Sequence, residues 1–167
     1  MSQYSLIQDQ NKCIGCKACE IACLINKGLD VGSNLCLVLQ IGPKWSGDLP
    51  RSSFVYLGCF HCENPWCLKV CPTGAIKKRE DGIVFIEKDQ CVGCKACITA
   101  CPFGACQWDE KSKKAVKCDF CKDRIDQGLL PVCVTVCITK CLSFEKTEKV
   151  PFEKREKLAD LMALMNI

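Results

Sequence analysis

An α+β fold built as a tandem of two similar modules is what this sequence predicts, on three observations. Nineteen of the 167 residues are cysteine. Sixteen of them fall into four groups of four, which form an internal repeat. Between the later groups lie two short stretches of strand-forming residues with turn chemistry at their centres. The length alone suits one compact domain with a modest core, but the cysteine content overrides that ordinary reading.

In chain order, the first group is Cys13, Cys16, Cys19 and Cys23. After it, Gly28 to Pro50 holds a strand-like apolar piece, Leu35–Ile41, and a Gly/Pro/Trp loop, which together read as an irregular insertion. The second group is Cys59, Cys62, Cys67 and Cys71, with two extra residues before its third cysteine. Ala75-Ile-Lys-Lys, Glu80-Asp81-Gly82 and Ile83-Val-Phe-Ile86 then read as a hairpin closed by Asp-Gly. The third group is Cys91, Cys94, Cys97 and Cys101. A second hairpin is expected from Ala105–Trp108 and Ala115–Lys117, joined by a polar turn. The fourth group is Cys118, Cys121, Cys133 and Cys137, with an 11-residue insertion between its second and third members. Proline follows the last cysteine of groups two and three (Pro72, Pro102), while Leu24 and Ile138 stand there in groups one and four. At the end, Leu158, Leu161, Met162 and Met165 share one face of a helix expected over 151–167. That helix would either close its own domain or dock on a partner.

The run Cys91-Val-Gly-Cys94-Lys-Ala-Cys97-Ile-Thr-Ala-Cys101-Pro102 carries the chemistry. It is the bacterial ferredoxin pattern, in which three cysteines hold one [4Fe–4S] cube and the fourth, turned away, ligates another. The rival is zinc in an interaction module, whose ribbons offer two separated CxxC pairs without a third cysteine close behind. Sixteen thiolates match four cubes with none missing, so every iron has a protein ligand and none is open to substrate. Closed sites of this kind transfer electrons. No GxGxxG or P-loop offers a nucleotide site. His61, between Cys59 and Cys62, is expected as a partly exposed non-ligand. Cys36, Cys106 and Cys141 remain as small core residues. Trp45, Trp66 and Trp108 are expected to pack around clusters and exclude water.

Several classes recede. The start, MSQYSLIQDQNK, carries no charged lead into an apolar run and no twin arginine. A full-length, cytoplasmic chain is therefore the expectation. The longest apolar stretch is too short for a bilayer span, and an odd cysteine count argues against a secreted disulfide scaffold. The formal charge of +4 does not mark a nucleic-acid binder. Four oxidised cubes with their thiolates, at about −2 each, would bring it to roughly −4. Lys111, Lys113, Lys114 and Lys117 read as either a partner-guiding patch or a solvated hairpin tip.

At Lys117-Cys118-Asp119-Phe-Cys121-Lys-Asp-Arg124 and Gly128-Leu-Leu-Pro131-Val-Cys133-Val-Thr-Val-Cys137, the chain resembles a known family. With groups one to three it is similar to the four-cluster iron–sulfur subunits of molybdopterin oxidoreductases, over about residues 10–145. Among these it looks most like the small carriers linked to formate dehydrogenase and hydrogenase. The resemblance implies an electron-transfer subunit, not itself an enzyme, between a catalytic subunit (formate dehydrogenase first) and a second redox protein (hydrogenase first). Carbon monoxide dehydrogenase and tungsten aldehyde oxidoreductase are the runners-up. The 19-residue hairpin link between groups two and three pairs them, as Cys59/Cys62/Cys67/Cys101 and Cys91/Cys94/Cys97/Cys71. The resemblance implies that groups one and four close around them as Cys13/Cys16/Cys19/Cys137 and Cys118/Cys121/Cys133/Cys23. Sequential pairing, one with two and three with four, is the rival. The inner module would span 59–102, and the outer one 1–58 with 103–150. Where the family has Cys-Pro-Thr-Gly-Ala, this chain has Cys137-Ile-Thr-Lys-Cys141, a change in the surroundings of one cluster.

Overall fold

The computed structural model describes residues 4–148. The helix expected over 151–167 lies outside the described residues. The strands pair as four two-stranded antiparallel sheets, with short helices at the cysteine groups. Strand β1 (Tyr4–Gln8) pairs with the last strand, β8 (Leu142–Lys146), from Tyr4 opposite Lys146 to Gln8 opposite Leu142. This pairing ties the described ends of the chain together, and no local pattern announced it.

Helix α1 (Ala18–Lys27) carries Cys19 and Cys23 one turn apart on its buried face, with Leu24 beside them. Gly28, left-handed at φ 62°, ends the helix, its N–H bonding to the Ile25 and Leu24 carbonyls. The strand-like piece expected at Leu35–Ile41 does form strand from Leu37, but the Gly/Pro/Trp loop expected after it is instead the rest of a long hairpin, β2 (Leu37–Ser46) with β3 (Leu49–Leu57). Ser46-Gly47-Asp48-Leu49 supplies a two-residue turn with Gly47 at φ 64°. The register shift between Ile41 and Lys44 absorbs Gly42 and Pro43, the two residues that had suggested a loop.

Both expected hairpins form: β4 (Ile76–Lys78) with β5 (Val84–Ile86), and β6 (Cys106–Asp109) with β7 (Lys114–Lys117). They share one core, in which Ile76, Val84, Cys106 and Ala115 pack with Cys67 and Cys97. A second core gathers Val38, Val134, Cys141 and Leu142 around Cys19, Cys133 and Cys137. A third holds Leu35, Cys36 and Val116 beside Cys23. The remaining helices are single turns that seat cysteines: α2 (Trp66–Lys69), α3 (Ala96–Ala100), α4 (Lys122–Ile125) and α5 (Val132–Thr135). The cores are small and lined by sulfur, as expected where metal rather than apolar area joins the parts.

Candidate metal centres

Each group opens with Cys-x-x-Cys, and each places its third residue in the left-handed region: Gly15 at φ 68°, His61 at 46°, Gly93 at 71° and Phe120 at 53°. A left-handed residue at this point curls the loop so that backbone N–H groups face the first sulfur. The His61 N–H donates to Cys59 Sγ at 3.4 Å. Lys17 and Lys95, each just after a second cysteine, are also left-handed and open helices α1 and α3.

The fourth cysteine of each group leaves its own loop. Cys59, Cys62, Cys67 and Cys101 line one small cavity with Phe60, His61, Trp66 and Phe103. Cys13, Cys16, Cys19 and Cys137 line a second, and Cys71, Cys91, Cys94 and Cys97 a third. Cys23 lies near enough to raise the Cys121 thiol, and both raise Cys133, while the Cys118 thiol, raised mainly by burial, feels Cys59 of group two before Cys133. Three cavities thus each bring three cysteines of one group together with the last cysteine of another.

The surroundings suit an anionic group with exposed sulfur. The Ala105 N–H donates to Cys101 Sγ at 3.4 Å, the Tyr56 hydroxyl lies 3.7 Å from Cys133 Sγ, and Asn26 Nδ2 lies 3.8 Å from Cys121 Sγ. Burial pushes the Cys19 thiol up to about 12 and the Cys133 thiol up to about 11, so metal binding there must displace protons. The adjacent Cys106 thiol, whose one S–H can turn to either sulfur, holds Cys67 down to about 6 and Cys97 to about 7. Cys106, 1% exposed, therefore touches ligand candidates of two quartets. Cys36 is placed likewise against Cys23, and Cys141 lies 3.4 Å from Cys137. All three are buried.

The departure at Cys137-Ile-Thr-Lys-Cys141 keeps the backbone of its counterpart. Lys140 is left-handed at φ 52°, where Cys71-Pro-Thr-Gly74 has Gly74 at 64°. Cys141 takes the buried place that Ala75 fills after Gly74.

Several expectations change. His61 is not partly exposed but 1% exposed. Its ring stacks on Phe120 at 3.7 Å between centroids, and its Nδ1 accepts the Val84 N–H at 3.0 Å. Burial and the Lys117 charge hold its pKa well below the usual imidazole value, and its buried Nε2 has no hydrogen-bond partner among the described residues. Lys117 is no surface lysine: it is buried, and its Nζ donates to the Val84 and Cys118 carbonyls. Lys111 and Lys113 are exposed, Lys113 pairing with Glu110. Trp45 is 76% exposed on the β2–β3 hairpin and guards nothing, because the strand that carries it extends into solvent. Trp66 is 59% exposed although it lines the Cys59 cavity, and Trp108 lies under the Lys95 ammonium at 4.1 Å.

The 4Fe-4S dicluster domain matches residues 51–147, which include groups two, three and four. The B subunit of the anaerobic dimethyl sulfoxide reductase of Escherichia coli is 39% identical over 170 residues, 98% of this chain and 81% of that protein. The B subunit of the polysulfide reductase of Wolinella succinogenes is 48% identical over 146 residues, 85% of this chain and 75% of the relative. The thiosulfate reductase electron transfer subunit of Salmonella typhi is 37% identical over 155 residues, 92% of this chain and 81% of the relative. These relatives bear names of sulfoxide and sulfur-compound reduction. They lend no support to the formate dehydrogenase and hydrogenase partners expected from the sequence. Among the described residues no helix is long and apolar enough to cross a membrane. The chain belongs to the 4Fe-4S dicluster family, among the iron–sulfur subunits of molybdopterin oxidoreductases.

Proposed function

We propose that this family member passes single electrons through four [4Fe–4S] clusters between a catalytic molybdopterin subunit and a second redox protein. The relatives named above point to a sulfoxide or an inorganic sulfur compound as the catalytic subunit's substrate. The observation that supports the reading is three cavities, each lined by three cysteines of one group and the last cysteine of another. In this reading Cys13, Cys16, Cys19 and Cys137 hold cluster 1, and Cys23, Cys118, Cys121 and Cys133 hold cluster 2. Cluster 3 falls to Cys59, Cys62, Cys67 and Cys101, and cluster 4 to Cys71, Cys91, Cys94 and Cys97.

When bound, such clusters supply one-electron chemistry with little rearrangement, over potentials that the surroundings set. The chain's own part is to ligate, to shield and to donate hydrogen bonds to sulfur. Nothing in the quartets leaves an iron open, which suits a carrier rather than a catalyst.

Iron and acid-labile sulfide analysis of anaerobically purified chain tests the reading. About sixteen of each per chain is expected. Zinc without sulfide would end it, and a count near eight would mean that two quartets stay empty. The isolated chain should not reduce dimethyl sulfoxide, thiosulfate or polysulfide with a dye as donor. Turnover by the chain alone would make it an enzyme and overturn the carrier role.

A further inference from the structure

His61 is the chain's single histidine, and its placement is costly: a bulky residue held left-handed at φ 46° and almost fully buried. Because Nδ1 accepts the Val84 N–H, the ring proton sits on Nε2. Nε2–H is therefore a buried donor, and the described residues offer it no acceptor. A buried donor left unmade is destabilising, so native structures give such groups a partner. The ring lines the cavity shared by Cys59, Cys62, Cys67 and Cys101. Its other neighbours do not serve: Phe120 covers one face, and the Lys117 ammonium is a donor already engaged with two carbonyls.

We infer that His61 Nε2–H donates a hydrogen bond to a sulfur of cluster 3, and that this bond raises the potential of that cluster above its value without it. The inference rests on the cluster assignment proposed above. A donor beside cluster sulfur favours the reduced form, because reduction adds negative charge to the acceptor. His61 is thus a tuning residue rather than a ligand.

Because the histidine is single, ¹⁵N-histidine labelling places one magnetic probe in the unaltered chain. Pulsed EPR of the reduced, iron-loaded protein should show ¹⁵N coupling on one cluster, the one whose signal Cys101→Ser changes. Full iron loading with no ¹⁵N coupling overturns this inference and leaves the four-cluster reading standing. Coupling on the cluster whose signal Cys121→Ser changes would also overturn it. Zinc in place of iron would remove both. As a second readout, His61→Leu should make one cluster about tenfold harder to reduce at a fixed potential, a shift of about 59 mV for one electron. His61→Gln, which keeps a donor, should recover most of it. Equal shifts in both variants would mean that the ring acts only by packing.

Discussion

Two of the four Cys-x-x-Cys loops turn on glycine and two on an aromatic ring, although all four adopt the same left-handed conformation. The glycine loops have no room for anything else. A Cβ on Gly93 would stand 2.7 Å from the Lys113 carbonyl oxygen, and one on Gly15 would run into the Phe54 ring. The aromatic loops accept the conformational strain because His61 and Phe120 stack on each other. Phe120 also meets Phe144 of β8 edge-on at 5.2 Å. The same turn is thus reached by removing a side chain where the backbone is crowded, and by burying one where groups two and four meet. The stack brings the second and fourth Cys-x-x-Cys loops into direct contact.

The comparison can be broken most severely at Phe120. Phe120→Ala keeps the left-handed strain but removes the stack. It should lower anaerobic unfolding stability by about 3 kcal/mol, as for other large buried aromatics. A loss under about 1 kcal/mol would show that the rings merely fill space. Next comes Gly93→Ala, where left-handed strain of about 1–2 kcal/mol adds to a clash with backbone that cannot swing away. Iron should fall by about four per chain as cluster 4 is lost. Gly15→Ala should be milder, since the Phe54 ring can rotate aside. If the two variants behave alike, crowding does not explain the glycines.

A smaller effect is expected at the three extra cysteines. Cys36→Ser, Cys106→Ser and Cys141→Ser should each leave iron at about sixteen, since each would only exchange one hydrogen-bonding neighbour for another. Loss of a cluster in any of them would show that a ligand had been misassigned. The smallest effect belongs to the outer link between the same groups, where Arg79 clamps Asp126 at 2.7 and 2.9 Å in solvent. Asp126→Asn should leave the unfolding midpoint unchanged, because exposed pairs contribute little. A clear drop would mean that surface charge, not the ring stack, holds groups two and four together.

What could be read in advance follows the range of the signal. The hairpins at 76–86 and 106–117 were legible, because Asp-Gly and a polar turn separate short runs of strand formers. The β2–β3 hairpin was not, since Gly42-Pro43 interrupts its alternation and the register shift that rescues the pairing is a tertiary outcome. Pairing of β1 with β8 joins residues as far apart as Tyr4 and Lys146, beyond any local pattern. At the site, glycine at positions 15 and 93 advertises the left-handed turn, whereas His61 and Phe120 conceal it. Only their mutual stacking explains why bulky residues stand there. The same concealment made His61 look half exposed and Lys117 look like a surface charge: their burial depends on Val84, which both residues contact from elsewhere in the chain.

The central claim is that each cluster joins three cysteines of one group to the last cysteine of another, in nested order. Anomalous diffraction at the iron edge from crystals of the anaerobic, iron-loaded chain tests it most directly. The account predicts four iron–sulfur cubes, with Cys23 bound to the same cube as Cys118, Cys121 and Cys133, and Cys71 to that of Cys91, Cys94 and Cys97. Cys23 bound instead with Cys59, Cys62 and Cys67 would contradict it.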